Sequence, residues 1–346
     1  MKPLGYIVKR LVWAMMLVFG ITTLSFVIAH VLPGDPVRML IGPQASARDA
    51  ARAREIYGLD RPLPVTYYRY WTRLIHREEA TEGGEPAGGP RGAGKAEHQS
   101  CARIGVGLHL DLGYSFHYRK PVTQLLAAKI PRSLELALAA LAIQLVLGVG
   151  AGVLAAARRG TRWDDIATSA SLLGVSAPTF LLGLFLQYFL AYKLRLLPFD
   201  GYGATPAEHL SSLVLPALTL GIFGSALYAR LVRDELGGLL RHDFIRTARA
   251  KGASEPRTLF VHALRNTLVP IATLMALDLG TLAGGAIVTE KLFRWPGVGE
   301  MAVIALLNRD GPVISGTVLF TSTAVVLSTF ALDLIYVVLD PRLRRD

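Results

Sequence analysis

Apolar positions gather into six runs along the chain, and polar and charged residues dominate between them. The runs cover residues 11–32, 134–157, 166–192, 213–228, 268–288 and 318–339. Most approach the ~20 residues that carry a helix across a hydrocarbon core of about 30 Å. Lipid-exposed backbone must satisfy its own hydrogen bonds, so the spans must be helical. The pattern predicts an all-α membrane protein with about six transmembrane helices. Pro178 interrupts the third run, and Pro216 and two glycines interrupt the fourth. The first run is too long for a signal-peptide core and no convincing small-x-small cleavage site follows, so it reads as retained.

The polar stretches divide the chain further. Residues 1–32 hold the N-terminus and first helix, 33–132 a large external loop, and 133–346 a five-helix core with a polar connection at about 240–266. Within the loop, 50–57 and 65–75 read as helical, and Tyr67, Tyr70, Trp71 and Leu74 share one stripe. Residues 78–100 are dominated by Gly, Glu, Pro and Ala, which predicts a flexible insertion extending to about 104.

Composition agrees with the spans. The chain is 52% hydrophobic and only 18% charged, with mean hydropathy +0.40; a soluble domain would be about a quarter charged. The net charge of +11 raises nucleic acid as a partner, but no basic patch interleaved with aromatics supports it. Basic residues collect instead in short loops. Lys2, Lys9 and Arg10 precede the first span, and Arg158, Arg159 and Arg162 join the second to the third. Arg230, Arg233, Arg241, Arg246, Arg249, Lys251, Arg257 and Arg265 join the fourth to the fifth, and Arg342, Arg344 and Arg345 close the chain. An even number of spans puts all four groups on one side, which predicts that both termini are cytoplasmic. The lone Cys101 excludes an internal disulfide.

Candidate chemistry is sparse. Gly89 to Ala96 approximates a phosphate-cradling loop, but Ala96 stands where a Ser or Thr hydroxyl would hold magnesium, and Glu, Gly and Pro precede it instead of a strand. The chain therefore shows no ATP site of its own. His98 and Cys101 are two ligands in a loop and do not make a closed metal site; His109 and His117 are unsupported. No nucleophile-elbow or Ser/His/Asp pattern stands in a convincing context, so neither a catalytic nor a metal site is expected. Gly148 and Gly152, and Gly280 and Gly284, lie one turn apart and allow close helix packing or a sliding contact. Asp278 is an ionisable residue near the middle of the fifth run, which makes it a candidate for the translocation path; an interhelical hydrogen bond is the alternative.

Seven segments in order resemble a known family. They are Leu32-Pro-Gly-Asp-Pro36, Gly58-Leu-Asp-Arg-Pro62, Asp111-Leu-Gly-Tyr-Ser115, Asp243 through Gly252, His262-Ala-Leu-Arg-Asn266 with Pro270, Thr289-Glu290 with Phe293-Arg-Trp-Pro-Gly-Val-Gly299, and Asp340-Pro-Arg342. Together they resemble the permease subunits of ATP-binding-cassette importers, specifically the B-type subunit of the dipeptide/oligopeptide/nickel group. The likeness covers nearly all of the chain except the insertion.

The connection at 240–266 is similar to that family's cytoplasmic EAA coupling loop. Gly252 holds the glycine position, Ala248 the second alanine and Leu264 the leucine, whereas Arg246, His262 and Arg265 depart from the general pattern. The resemblance implies that Arg246, Thr247, Ala248, Arg249, Ala250, Lys251, Gly252, Ala253, His262, Leu264 and Arg265 engage an ATPase. Physically, the stretch predicts two short helices broken near Gly252, a residue free to take positive φ. The resemblance further implies a permease for di- or oligopeptides that is not itself an enzyme. Its partners would be a second related permease in a heterodimer, two ATPase subunits holding ATP and magnesium, and an external substrate-binding protein. The setting would be a bacterial or archaeal plasma membrane. Nickel chelates or glutathione are the alternative cargo. An ion-gradient-driven secondary transporter is the alternative of another class; it predicts inverted repeats, and none is clear between the halves.

Overall fold

The computed structural model describes residues 3–31, 46–48, 51, 62–77, 101–103 and 108–339. The loop at Gly89 to Ala96, His98 and most of the helix expected over 50–57 lie outside these. Among the described residues, five helices are long and apolar enough to cross a membrane, or six with a bent pair taken as one span. Two compact units divide the chain, one of residues 1–7, 132–300 and 324–346, the other of 8–131 and 301–323.

In the second unit, α1 (Pro3–Val31) meets the amphipathic α2 (Leu63–Leu74). Phe19 lies 4.8 Å from Trp71 between ring centroids, Phe26 lies 5.3 Å from Tyr67, and the Thr23 and Tyr67 hydroxyls are 2.8 Å apart. Burial, and then the neighbouring Tyr67, push the Tyr70 phenol up to about 12. The expectation of an all-helical chain needs one addition. The strands β1 (Ile75–Arg77), β2 (Cys101–Arg103) and β3 (Leu108–Asp111) form an antiparallel sheet in the order β1-β3-β2. Both ends of the insertion are thus paired to the same strand, with Ile75 opposite Leu110 and Cys101 opposite Asp111. Strands this short carry too little alternation to be read from sequence.

The turn that follows explains one of the quoted segments. The Gly113 N–H donates to Asp111 Oδ1 at 2.8 Å with Gly113 at φ +83°, and Ser115 Oγ donates to the buried Asp310 Oδ2 at 2.6 Å. The Asp310 carbonyl in turn accepts the Ile314 N–H in the first turn of α13 (Gly311–Leu339).

The first unit holds most of the remaining helical residues. α3 (Val122–Gln144) runs through a π-helical turn (Leu145–Val149) into α4 (Gly150–Ala157), giving one span of 36 residues. The third run is a pair rather than one helix. α5 (Arg162–Ser176) and α6 (Thr179–Leu186) meet at a bend of 103°. Pro178 has no N–H to donate and holds Ala177 extended, at φ −78° and ψ 135°. α6 continues as a second π-helical segment (Gln187–Lys193).

α7 (Pro206–Leu239) is far longer than its apolar run. Thr205 Oγ1 accepts the Glu208 N–H at 3.3 Å while Glu208 Oε2 accepts the Thr205 N–H at 3.3 Å, a reciprocal cap, and Pro206 opens the helix. At 1.5 Å per residue the helix is about 50 Å long, so its polar ends leave the hydrocarbon. Close packing explains one glycine pair. A Cβ on Gly148 would lie 2.5 Å from Tyr228 Cβ, and one on Gly152 would lie 2.7 Å from Ala229 O. Gly280 packs likewise on Val325 and Ser328.

Candidate functional site

The polar connection between the fourth and fifth spans folds as an elbow. α8 (Asp243–Ala250) forms its first arm. α9 (Glu255–Arg257), a third π-helical segment (Thr258–Ala263) and α10 (Leu264–Ala283) run on as the second. The corner is a Schellman cap: the Gly252 N–H donates to Arg249 O at 2.9 Å, and the Ala253 N–H donates to Ala248 O at 3.1 Å. Gly252 stands at φ +86°, and a Cβ there would meet nothing within 4 Å. Backbone conformation, not space, calls for glycine.

The elbow is rooted in the bundle by apolar side chains. Ile245 and Ala263, both fully buried, join Leu141, Val153, Tyr228, Val232, Leu236 and Ile271 in one cluster, with Leu264 packed against it. Burying one such Ile stabilises by about 1.5–3 kcal/mol relative to leaving it exposed. The opposite face is open. Arg246, Thr247, Arg249, Ala250, Lys251 and Arg265 are exposed, while Ala248, Ala253 and His262 are half-buried. Arg249 Nη2 reaches across the corner to Glu255 Oε2 at 3.1 Å, and Arg246 lies 3.7 Å from Asp243. Arg241, Lys251, Arg257 and Arg265 make no ion pair among the described residues.

Sequence reading missed the apolar part of this face. Phe244 is 43% exposed and Phe260 56%, one on each arm, amid the cations. The available signal was Phe244 beside Ile245. Two adjacent apolar residues on a short helix cannot both face the core, so one must face out.

Asp278 lies on α10, half-buried, and interacts with the fully buried Tyr228 of α7. The Tyr228 hydroxyl makes no hydrogen bond of good geometry. One turn earlier on α7, Gly224 packs on Gln144, whose Nε2 donates to Leu220 O at 3.3 Å while its Oε1 stays unpaired. Polar side chains thus occur on α3, α7 and α10, and Tyr228 shares the cluster that roots the elbow.

The segment after α10 builds a separate polar knot. α11 (Ile287–Leu292) carries Glu290, which is fully buried. Its carboxylate accepts Ser133 Oγ at 2.8 Å and the Glu300 N–H at 2.9 Å, at the start of α12 (Val298–Leu307). Ser133 Oγ accepts the Val298 N–H at 2.8 Å, and the buried Trp295 donates Nε1 to Arg132 O at 2.9 Å. Burial raises the Glu290 carboxyl above the usual carboxylate range, and these hydrogen bonds oppose the rise. A Cβ at Gly297 would lie 2.3 Å from Glu290 Oε2, which fixes glycine there.

The family described as the binding-protein-dependent transport system inner membrane component matches residues 148–345, and its N-terminal counterpart matches 3–137. The glutathione transport system permease protein GsiC of Shigella flexneri serotype 5b (strain 8401) is 34% identical over 342 residues, 99% of each chain. The protein of the same name from Escherichia coli (strain K12) is 33% identical over the same length. Among solved structures, an inward-facing conformation of the MetNI methionine ABC transporter superposes with TM-score 0.54 at 19% identity, over 64% of this chain and 98% of that one. The chain belongs to the inner membrane components of binding-protein-dependent transport systems, and is a multi-pass permease subunit of an ATP-binding-cassette importer.

Proposed function

We propose that this permease carries di- and oligopeptides inward, pairing with a second related permease to enclose the path. The elbow at 240–266 then lies in the cytoplasm with both chain termini and rests in a cleft of one of two ATPase subunits, which bind ATP and magnesium. Arg246, Arg249 and Lys251, with Phe244 and Phe260 among them, offer that partner both charge and apolar surface. An external binding protein delivers cargo to the opposite face, and Asp278 lines the path. The observation that carries the reading is the two-faced elbow. Ile245 and Ala263 tie it to the core cluster of the spans while its other face is exposed. A push on such a lever reaches α7 and α10 as rigid-body motion.

Glutathione is the second cargo reading, favoured by the name of the relatives, and it is itself a small peptide with a γ-linkage. Uptake of a labelled dipeptide by cells with and without this gene tests both. Competitors are excess unlabelled tripeptide, glutathione and nickel. The expected result is dipeptide uptake that disappears on deletion and is blocked by tripeptide but not by nickel. Unchanged dipeptide uptake, with glutathione uptake or nickel accumulation falling instead, overturns the peptide reading and leaves the permease architecture in place.

A further inference from the structure

At the end of the bundle that bears the arginine-rich connections, a cavity of about 250 Å³ opens between α4, α5 and α7. Ala155, Thr168, Ser171, Arg230, Arg233 and Asp234 border it. Arg230 and Arg233 follow directly on the fourth apolar run, 213–228, which sets the cavity at the edge of the apolar part of the span. Trp163, 52% exposed beneath the Arg158 guanidinium, marks the same level.

One of the two cations at the cavity has no carboxylate partner among the described residues. Arg233 is already committed: its Nε lies 2.5 Å from Asp164 Oδ1, and its Nη1 3.1 Å from Asp234 Oδ1. Asp164 accepts the Gly160 N–H as well, at 3.0 Å. Both of these carboxylates are therefore satisfied. Arg230 is exposed and has no ion pair among the described residues. What remains is a guanidinium without an acceptor among the described residues, beside an alanine-lined wall. Leu172, which also lines the cavity, and Leu173 are 53% and 73% exposed, an apolar surface that suits acyl chains.

We infer that this cavity binds the headgroup phosphate of an anionic phospholipid. Arg230 pairs with the phosphate, and an acyl chain follows α5 past Leu172. Arg158, Arg159 and Arg162 in the adjoining turn make the surrounding field positive and select a net-negative headgroup over a zwitterionic one. That this leaflet is the cytoplasmic one rests on the orientation proposed above; the lipid site itself does not.

The test is native mass spectrometry of the assembled transporter in detergent, titrated with phosphatidylglycerol or phosphatidylcholine, without cargo or ATP. Its failure would therefore leave the transport reading untouched. Wild type retains phosphatidylglycerol in preference to phosphatidylcholine. Arg230→Ala binds phosphatidylglycerol about fivefold more weakly, the effect of one interfacial cation, and Arg230→Lys keeps most of the affinity. Ala167→Phe, which fills the cavity without changing charge, weakens binding too. Equal retention of the two lipids, or unchanged affinity in Arg230→Ala, overturns the inference. Displacement of the lipid by millimolar inorganic phosphate also overturns it, by showing a site for a free anion.

Discussion

Glu290 illustrates how a buried acid is held. The carboxylate is out of solvent, but Ser133 Oγ and the Glu300 N–H both point at it, and Ser133 is in turn bonded by Val298. Removing the acceptor strands those donors where water does not compensate, at about 1–3 kcal/mol for each orphaned group. Glu290→Ala is therefore expected to lower the detergent melting temperature of the transporter clearly, and Glu290→Gln, which keeps an acceptor, much less. Equal melting of all three proteins would mean that the knot does not contribute to stability. Sequence placed Glu290 in a recognisable segment but could not show its task, because Ser133 lies 157 positions away. Gly252 was legible, since its reason is local: one backbone angle at one corner.

At the scale of elements, the proposed coupling role of the elbow requires its corner to keep the two arms at a set angle. A side chain at Gly252 meets no neighbour, so the effect of substitution is conformational. Forcing an L-residue into the left-handed region costs roughly 1–2 kcal/mol. Gly252→Arg is expected to insert and assemble normally while ATP hydrolysis continues and uptake in proteoliposomes falls at least about tenfold, the factor that ~1.4 kcal/mol of lost coupling sets. Wild-type uptake by that variant would remove the corner from the coupling path. Element existence was readable from sequence in the long apolar runs; element length was not. Glu208, His209, Arg230 and Arg233 ended the apolar run of the fourth span without ending its helix, because the Thr205–Glu208 cap extends one end and Leu236 is buried near the other. The 103° bend at Pro178 was legible as a break but not as an angle. The short strands around the insertion were invisible, since their pairing depends on β3 and not on their own alternation.

For the molecule as a whole, transport depends on what the spans hold between them. Asp278 stands on α10 beside Tyr228, and an ionisable group within a span costs a few kcal/mol unless it serves a polar path or partner. If it lines the path, Asp278→Leu assembles with its partners yet loses most uptake. If it serves only packing, the variant transports normally once assembled, and co-purification alongside the uptake assay separates the two.

The three π-helical segments, at residues 145–149, 187–193 and 258–263, have a further consequence. Each i→i+5 ring encloses one residue more than an α turn needs. The surplus is absorbed inside the turn, so the helix on either side keeps its face, and Gly152 still meets Val232 beyond the first of them. The chain is thus slightly longer than its path at three marked points, two in spans and one on the second arm of the elbow. Such slack lets a helix shift its phase by a residue without unravelling, much as a spare link lets a chain be re-tensioned without being cut.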